Sequence, residues 1–272
     1  ATPVAPIRRA VASGHGIGKA QPVSQMLHTP DGLRRWGDLQ PGDYVFGADG
    51  KPTRIVAVYE RGVLPVFRIV FDDRSSTRAT GDHVWSVKGR NERRTDTGWK
   101  RKTTAEISAA GVKRANGVSR AKHWQIPTQG AVEFPERAFA IHPYVLGVWL
   151  GDGCRQSALI TSADPEVPRR IAEVGEDIKP RRDLYAWRVK GLMARLRDLG
   201  ILDRYSYQKS VPVSYMEAPT WARAEILRGL LDTDGECGIG GTISFSSTSR
   251  ALADDVVWLS RSLGGKAMIQ PT

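Results

Sequence analysis

Two short apolar stretches, VLGVWLGDG (Val145 to Gly153) and LRGLLDTDG (Leu227 to Gly235), each run into an Asp-Gly pair. Each is followed by β-like runs and then by an amphipathic helical pattern, VKGLMARLRDLGI in one case and SRALADDVVWLSRSLGG in the other. This internal repeat of helix, acid, strands and helix constrains the fold more than any other feature, because two copies of such a unit build a pseudo-twofold α/β domain. Asp152 and Asp234 fall at equivalent points. Gly147 and Gly229 let the two helices approach closely and cross, which brings the acids at their ends together. Paired carboxylates held near one point bind Mg²⁺ and leave positions for phosphate oxygens and water, as phosphodiester hydrolysis requires. A single Asp-Gly after an apolar helix is more often an ordinary C-terminal cap; two in matching repeat positions reverse that reading.

The rest of the chain narrows the partner. It carries 40 Lys+Arg against 29 Asp+Glu, a net charge of +11, over 272 residues with 40% apolar content. That length is about two domains, the apolar share suffices for real cores, and the excess of cation points to a polyanion. No run approaches the roughly 18 apolar residues of a membrane span and no signal peptide opens the chain, so an intracellular, cytoplasmic protein is expected, with no membrane partner. Cys154 and Cys237 stand far apart with no metal-ligand spacing, which predicts two reduced thiols.

Residues 1–19 read as a short strand and a glycine-rich turn ending in Gly18-Lys19. That is half of a phosphate-cradling loop, with Ser13 where its first glycine belongs and Ala20 where a magnesium-binding Ser or Thr belongs. From 20 to 87 short alternating runs are separated by Pro30-Asp31-Gly32, Pro41-Gly42-Asp43 and Ala48-Asp49-Gly50, the pattern of hairpins in an all-β region. Between Lys88 and Lys122 eleven Lys/Arg face three acids, with Trp99 inside the segment and Trp124 beside it. Cations interleaved with aromatics suit phosphate contacts and base stacking, which makes Arg93, Arg94, Lys100, Arg101, Lys102, Lys113 and Arg114 the candidate DNA-binding residues.

The paired signatures resemble the LAGLIDADG (DOD-type) homing endonucleases over about residues 139 to 272. The resemblance implies cleavage of double-stranded DNA at a homing site, with Mg²⁺ held by Asp152 and Asp234. KSVP at Lys209 to Pro212 looks like the family's lysine block, implying that Lys209 assists charge stabilisation or water activation at the scissile phosphate; Lys266 is a weaker second lysine. One departure is Leu150, where the signature has its earlier acid.

GDLQPGDYVFGADGKPTRIVAV resembles the first splicing block of inteins, and Thr80-x-x-His83 resembles their second. The resemblance implies protein splicing at the Lys19–Ala20 bond, with Thr80 and His83 making that amide attackable. Ala20 supplies no nucleophile, and Trp85, two residues after His83, resembles the variant class in which an internal Cys attacks the junction directly. The implied architecture is a multidomain chain. Residues 1–19 are a host-protein (extein) fragment similar to the P-loop of a phage terminase, 20–87 an all-β Hint (horseshoe) splicing region, 88–135 a basic DNA-contacting linker and 136–272 the α/β endonuclease with pseudo-twofold repeats. No terminal Asn follows, which implies a C-terminally truncated fragment that does not splice alone. Two rival expectations are a degenerate domain that binds DNA without cutting it and a P-loop ATPase working through residues 1–19.

Overall fold

A computed structural model of the protein describes residues 4–12, 19–112, 124–182 and 185–270, which fall into two compact units, Ala1–Gly130 and Ala131–Thr272.

In the first unit, strands β1 (Val4–Ala12), β2 (Lys19–Pro22), β3 (Met26–Thr29), β4 (Gly32–Arg35), β5 (Tyr44–Phe46), β6 (Pro52–Val70), β7 (Ser76–Thr80) and β8 (Val84–Val87) come first. Helix α1 (Arg90–Thr95), strand β9 (Lys100–Thr103) and helix α2 (Thr104–Ala110) follow. Alternating β-branched and polar residues make β6 a 19-residue strand that pairs antiparallel with β5 at its start, β1 along its middle and β7 at its end. The resulting sheet runs β2-β1-β6-β5, with β7 on β6. Trp36, Leu39, Val45 and Ile55 form one buried cluster and Ala20, with Val66 and Leu64, another.

The segmentation differs from the sequence expectation in three places. Residues 4–12, read as part of a host fragment, form the strand between β2 and β6, paired with β6 from Val4↔Pro65 to Ala12↔Ile55 with register shifts between Pro6 and Arg8 and between Val11 and Ala12. Main-chain pairing does not depend on side-chain identity, so an extended segment of any origin can be added to a sheet this way. The basic stretch expected as a linker carries regular structure: β9 pairs with β8, and α2 starts with a capping box between Thr103 and Glu106. The division of the chain also falls at Gly130 rather than at 135. Val132 donates its N–H to the Ser262 carbonyl (2.8 Å) and accepts from Arg223, tying the segment to the second unit. The glycine-rich turn at 13–18, Lys113 and Arg114 lie outside the described residues.

The second unit contains α3 (Pro143–Asp152), β10 (Ile160–Thr161), α4 (Glu166–Glu173), β11 (Ile178–Pro180), β12 (Ala186–Val189), α5 (Leu192–Asp198), α6 (Val213–Met216), α7 (Thr220–Asp234), β13 (Gly235–Cys237), β14 (Ile243–Phe245) and α8 (Arg250–Ser262). Each signature helix therefore leads into a small antiparallel sheet and then a helix, first β10-β12-β11 and α5, then β13-β14 and α8. Cys237 lies on β13.

α3 is buried from Pro143 to Leu150 and packs directly on α7. A methyl group at Gly147 would overlap the Ile226 carbonyl and one at Gly229 the Tyr144 carbonyl, so only glycine at both points permits this approach. Leu146, Val148, Trp149, Ile226 and Leu230 form the centre of the unit's core. Arg223, at 0% exposure, has no carboxylate partner among the described residues. It donates to the Ala218 carbonyl (2.8 Å), to the Val132 carbonyl and to the Ser262 hydroxyl, and lies beside the rings of Phe134 and Trp258. Burial pulls its guanidinium down to about 10.

Candidate active site

Helix packing fixes the acids. α3 starts at Pro143, with His142 Nδ1 accepting from the Tyr144 amide, and ends at Asp152, where the Gly153 N–H returns to the Trp149 carbonyl (2.9 Å). α7 ends the same way, with the Gly235 N–H bonded to the Leu231 carbonyl. Because the helices touch at Gly147 and Gly229, the ends at Asp152 and Asp234, five residues further along each, also meet. A methyl at Gly151 would overlap Thr233 and come 3.1 Å from Asp234 Oδ2. Asp152 and Asp234 are thus brought to one place, as the repeat predicts.

Crowding shifts both acids. Asp152 is open to solvent at its surface, yet desolvation pushes its carboxyl above the ordinary value, against the pull of Lys209. Desolvation also raises Asp234, and the charge of Asp152 raises it further. Repulsion is mutual, so ionising one acid opposes ionising the other. Two hard oxygen donors that resist sharing negative charge are the donor set a divalent cation relieves, and Mg²⁺ typically takes one or two carboxylates and fills its remaining positions with water and phosphate. The residues therefore fit Mg²⁺. Among the described residues no group of three or more His, Cys, Asp or Glu gathers in one place.

Lys209 departs from expectation. It is 4% exposed, and its Nζ donates to the carbonyls of Trp149 (3.1 Å), Gly151 (3.3 Å) and Gly153 (3.0 Å), the last turn of α3. Those three acceptors match the three donors of an ammonium, so Lys209 caps the helix that carries Asp152. Burial lowers its pKa while Asp234 and Asp152 oppose that shift. α8 holds the lysine block from behind: the Ser249 hydroxyl donates to the Lys209 carbonyl (2.6 Å), and Asp255 accepts from the Val211 N–H (2.7 Å). Lys266 is exposed.

Cations outside the expected segment also face solvent. Lys179 on β11 and Arg188 on β12 are exposed cross-strand partners. Like charges directly opposite one another destabilise a sheet unless an anion lies over them. The expected basic segment, by contrast, satisfies several of its own charges. Lys88 pairs with Asp96 (2.8 Å) and lies over Trp99, Lys100 pairs with Glu92, and Lys102 lies over Trp124. Arg94 and Arg101 are exposed and Arg93 is half-buried.

In the first unit, Thr80 to His83 form a turn in which the His83 N–H bonds to the Thr80 carbonyl (3.2 Å). The start of α2 holds it: the Thr104 and Ala105 amides donate to the carbonyls of His83 and Gly81, both at 2.9 Å. Trp85 Nε1 donates to the Thr104 hydroxyl (2.9 Å), and its ring lies 4.6 Å from that of His83. Ala20 is buried on β2, which lies against β7, the strand that ends in Thr80.

Sequence reasoning missed four residues around these sites. Asp82 accepts the Thr80 hydroxyl. Asp232 accepts from the Tyr144 hydroxyl (2.8 Å), which joins α7 to α3. Asp255 and Ser249 fix Lys209 from a helix about 40 residues away. Only Asp232 carried a signal, as the earlier acid of the second signature.

Comparison with known proteins is consistent with this geometry. Residues 221–272, from α7 onward, match the LAGLIDADG-like domain family, which supports a homing endonuclease. The chain is 38% identical over 272 residues to the replicative DNA helicase DnaB of Mycobacterium intracellulare, covering 93% of this chain and 44% of the helicase. It is 37% identical over 76 residues to DnaB of Mycobacterium leprae (strain TN), covering 28% of this chain and 13% of that protein. It is 28% identical over 246 residues to DnaB of Rhodothermus marinus, covering 80% and 24%. The chain thus spans less than half the length of these relatives. Among the described residues no helix is long and apolar enough to cross a membrane.

Proposed function

We propose that the chain is part of an intein inserted in a replicative DNA helicase, and that its second unit is a site-specific homing endonuclease cutting double-stranded DNA. The observation that carries this reading is the meeting of Asp152 and Asp234 at the ends of two glycine-packed helices, in an environment that raises both carboxyls. Mg²⁺ held there would polarise a phosphoryl oxygen and lower the pKa of a bound water. The protein's own groups do the rest. Asp152 and Asp234 would hold the cation, Lys209 fixes the end of α3, and the exposed cations Arg188 and Lys179, the latter 4.0 Å from Asp177, would meet DNA phosphates. The helicase relatives replace the phage terminase as the host reading; a helicase also needs a nucleotide-binding P-loop, which residues 14–19 would half supply.

The test is incubation of the chain with a duplex spanning the uninterrupted host junction, with and without Mg²⁺. Metal-dependent cleavage is expected, and Asp152→Asn or Asp234→Asn should slow it on the order of 10³-fold. Binding without cleavage by the wild type would replace the nuclease by a DNA-binding remnant.

The first unit is read as the N-terminal part of a Hint splicing fold. Supporting this are the anchored Thr80–His83 turn, the tilted packing of Trp85 against His83, and the position of β2, which carries the Lys19–Ala20 bond, against β7. Thr80 and His83 would polarise that amide and protonate its nitrogen. In a full-length precursor His83→Ala is expected to leave unspliced protein on a denaturing gel; normal excision would remove His83 from this role.

A further inference from the structure

Three side chains on the segments that carry Asp152 and Lys209 form a stack that neither the helix crossing nor the lysine block accounts for. The Arg155 guanidinium lies 3.9 Å from the centre of the Tyr205 ring, and Tyr205 stacks on Tyr207 with centroids 5.5 Å apart and planes 11° from parallel. Both tyrosines face solvent, Tyr205 at 49% and Tyr207 at 61% exposure. The stack is also fixed in place. The Asp203 N–H donates to the Arg155 carbonyl (3.3 Å), Arg155 Nη1 donates to the Asp203 carbonyl (3.4 Å), and the Tyr205 N–H donates to Gln208 Oε1 (3.1 Å). Arg204 ties the same loop to the Gly200 carbonyl (3.0 Å) and the Ser210 hydroxyl (3.2 Å).

Its position relative to the acids follows from the chain. Arg155 is three residues after Asp152, and Tyr205 is four before Lys209, whose ammonium holds the carbonyls of Gly151 and Gly153 on either side of Asp152. Among the described residues Arg155 has no carboxylate partner, so its charge is available to an anion. Trp99 and Trp124 of the first unit each already carry a lysine, whereas among the described residues no cation lies over the outer ring here, Tyr207, which is 61% exposed.

We propose that Arg155, Tyr205 and Tyr207 form a stacking platform for an unstacked DNA base next to the phosphate that Asp152 and Asp234 would address. Arg155 supplies the cation for the backbone and Tyr207 the free π face, the two parts of sequence-tolerant single-strand binding. The inference deepens the endonuclease reading and rests on it.

The test titrates the intact chain in EDTA against fluorescein-labelled single-stranded (dT)20, and in parallel measures Mg²⁺-dependent cleavage of the junction duplex. Tyr207→Ala should weaken (dT)20 binding about 5- to 100-fold, the range expected for one lost stacking partner. Tyr207→Phe should stay within about twofold of wild type, and Tyr207→Leu, which keeps apolar area without a ring, should fall with the alanine variant. Wild-type-like affinity of Tyr207→Ala or Tyr207→Leu overturns the platform, as does a wild-type chain that does not bind (dT)20. Failure of the wild type to cleave the junction duplex sinks the endonuclease reading instead, and the (dT)20 series still decides whether the stack receives a base.

Discussion

The two signature helices end on the same acid but are built differently. α3 is short and buried on all sides from Pro143 to Leu150, and its last turn is closed by a buried ammonium from another segment. α7 is five residues longer and buries only a stripe, Ala222, Arg223, Ile226, Gly229 and Leu230. Its last turn is closed within its own backbone and by the Thr233 hydroxyl, which donates back to the Gly229 and Leu230 carbonyls. Where α3 has Leu150 and Gly151, α7 has Asp232 and Thr233, and the missing side chain at Gly151 is what makes room for Thr233. A repeat that looks symmetric in sequence thus yields one rigid half and one half that leans on it. Asp152 sits on the fixed helix, while Asp234 is placed by packing against it.

Lys209 tests that asymmetry most severely. Lys209→Met keeps the stem and removes the donors, so the carbonyls of Gly151 and Gly153 lose this partner and the Trp149 carbonyl keeps only the Gly153 N–H. An unsatisfied buried polar group costs about 1–3 kcal/mol, so a total loss on the order of 3 kcal/mol is expected, read as a fall of several degrees in the melting temperature. Lys266→Met, at the exposed lysine of the second repeat, should stay within about 0.5 kcal/mol of wild type. Equal melting of the two variants would abolish the distinction between the halves. Cleavage should also drop in Lys209→Met, because Asp152 loses its fixed helix end.

The acids themselves give a smaller effect, readable through pH. Desolvation raises both carboxyls, so their ionised forms are disfavoured in the folded chain. Such a group contributes stability below its unfolded pKa of about 3.9, and that contribution is lost as pH rises through the folded value. Asp152→Asn and Asp234→Asn should therefore melt above wild type at pH 7, and the gap should close on acidification through the same window. Cleavage runs the other way: the cation needs both carboxylates ionised, so its acid limb should lie above the ordinary aspartate range. Variants that melt at or below wild type at neutral pH would mean the acids are not crowded.

Much of this site is legible in the sequence because it depends on local spacing. Gly147, Gly229, Asp152 and Asp234 stand at matching offsets, and helix geometry converts those offsets into a meeting point. The hairpin signals of 20–87 likewise report local turns. Long-range contacts leave no such mark. The acceptors of Lys209 are main-chain carbonyls nearly 60 residues away, and a carbonyl has no sequence identity. The strand at 4–12 pairs through its backbone, which explains how a segment set apart by its motif lies inside the sheet. Charge counting between Lys88 and Lys122 overstated the free cation because Glu92, Asp96, Trp99 and Trp124 engage part of it from positions that a net sum does not register.

The smallest effect concerns the one bond through which α7 reaches back to α3. The Tyr144 hydroxyl donates to Asp232 Oδ2 at 2.8 Å, and Arg170 approaches the same oxygen at 3.5 Å while covering the Tyr144 ring. Burial, with the Asp232 carboxylate, pushes the Tyr144 phenol far above its ordinary value, so it remains a donor across the working pH range. Tyr144→Phe preserves the buried ring and deletes only that donor. Asp232 is a third exposed at its side chain and keeps Arg170, so water can take the vacated place, and the cost should be about 1 kcal/mol. If Asp232 merely ties the helices together, junction cleavage should change less than about threefold, since 1 kcal/mol corresponds to a factor near five in an equilibrium and only part of it reaches the barrier. A loss of cleavage matching that of Asp234→Asn would instead make Asp232 a member of the metal-holding set, and α7 would then carry two working acids to the one on α3.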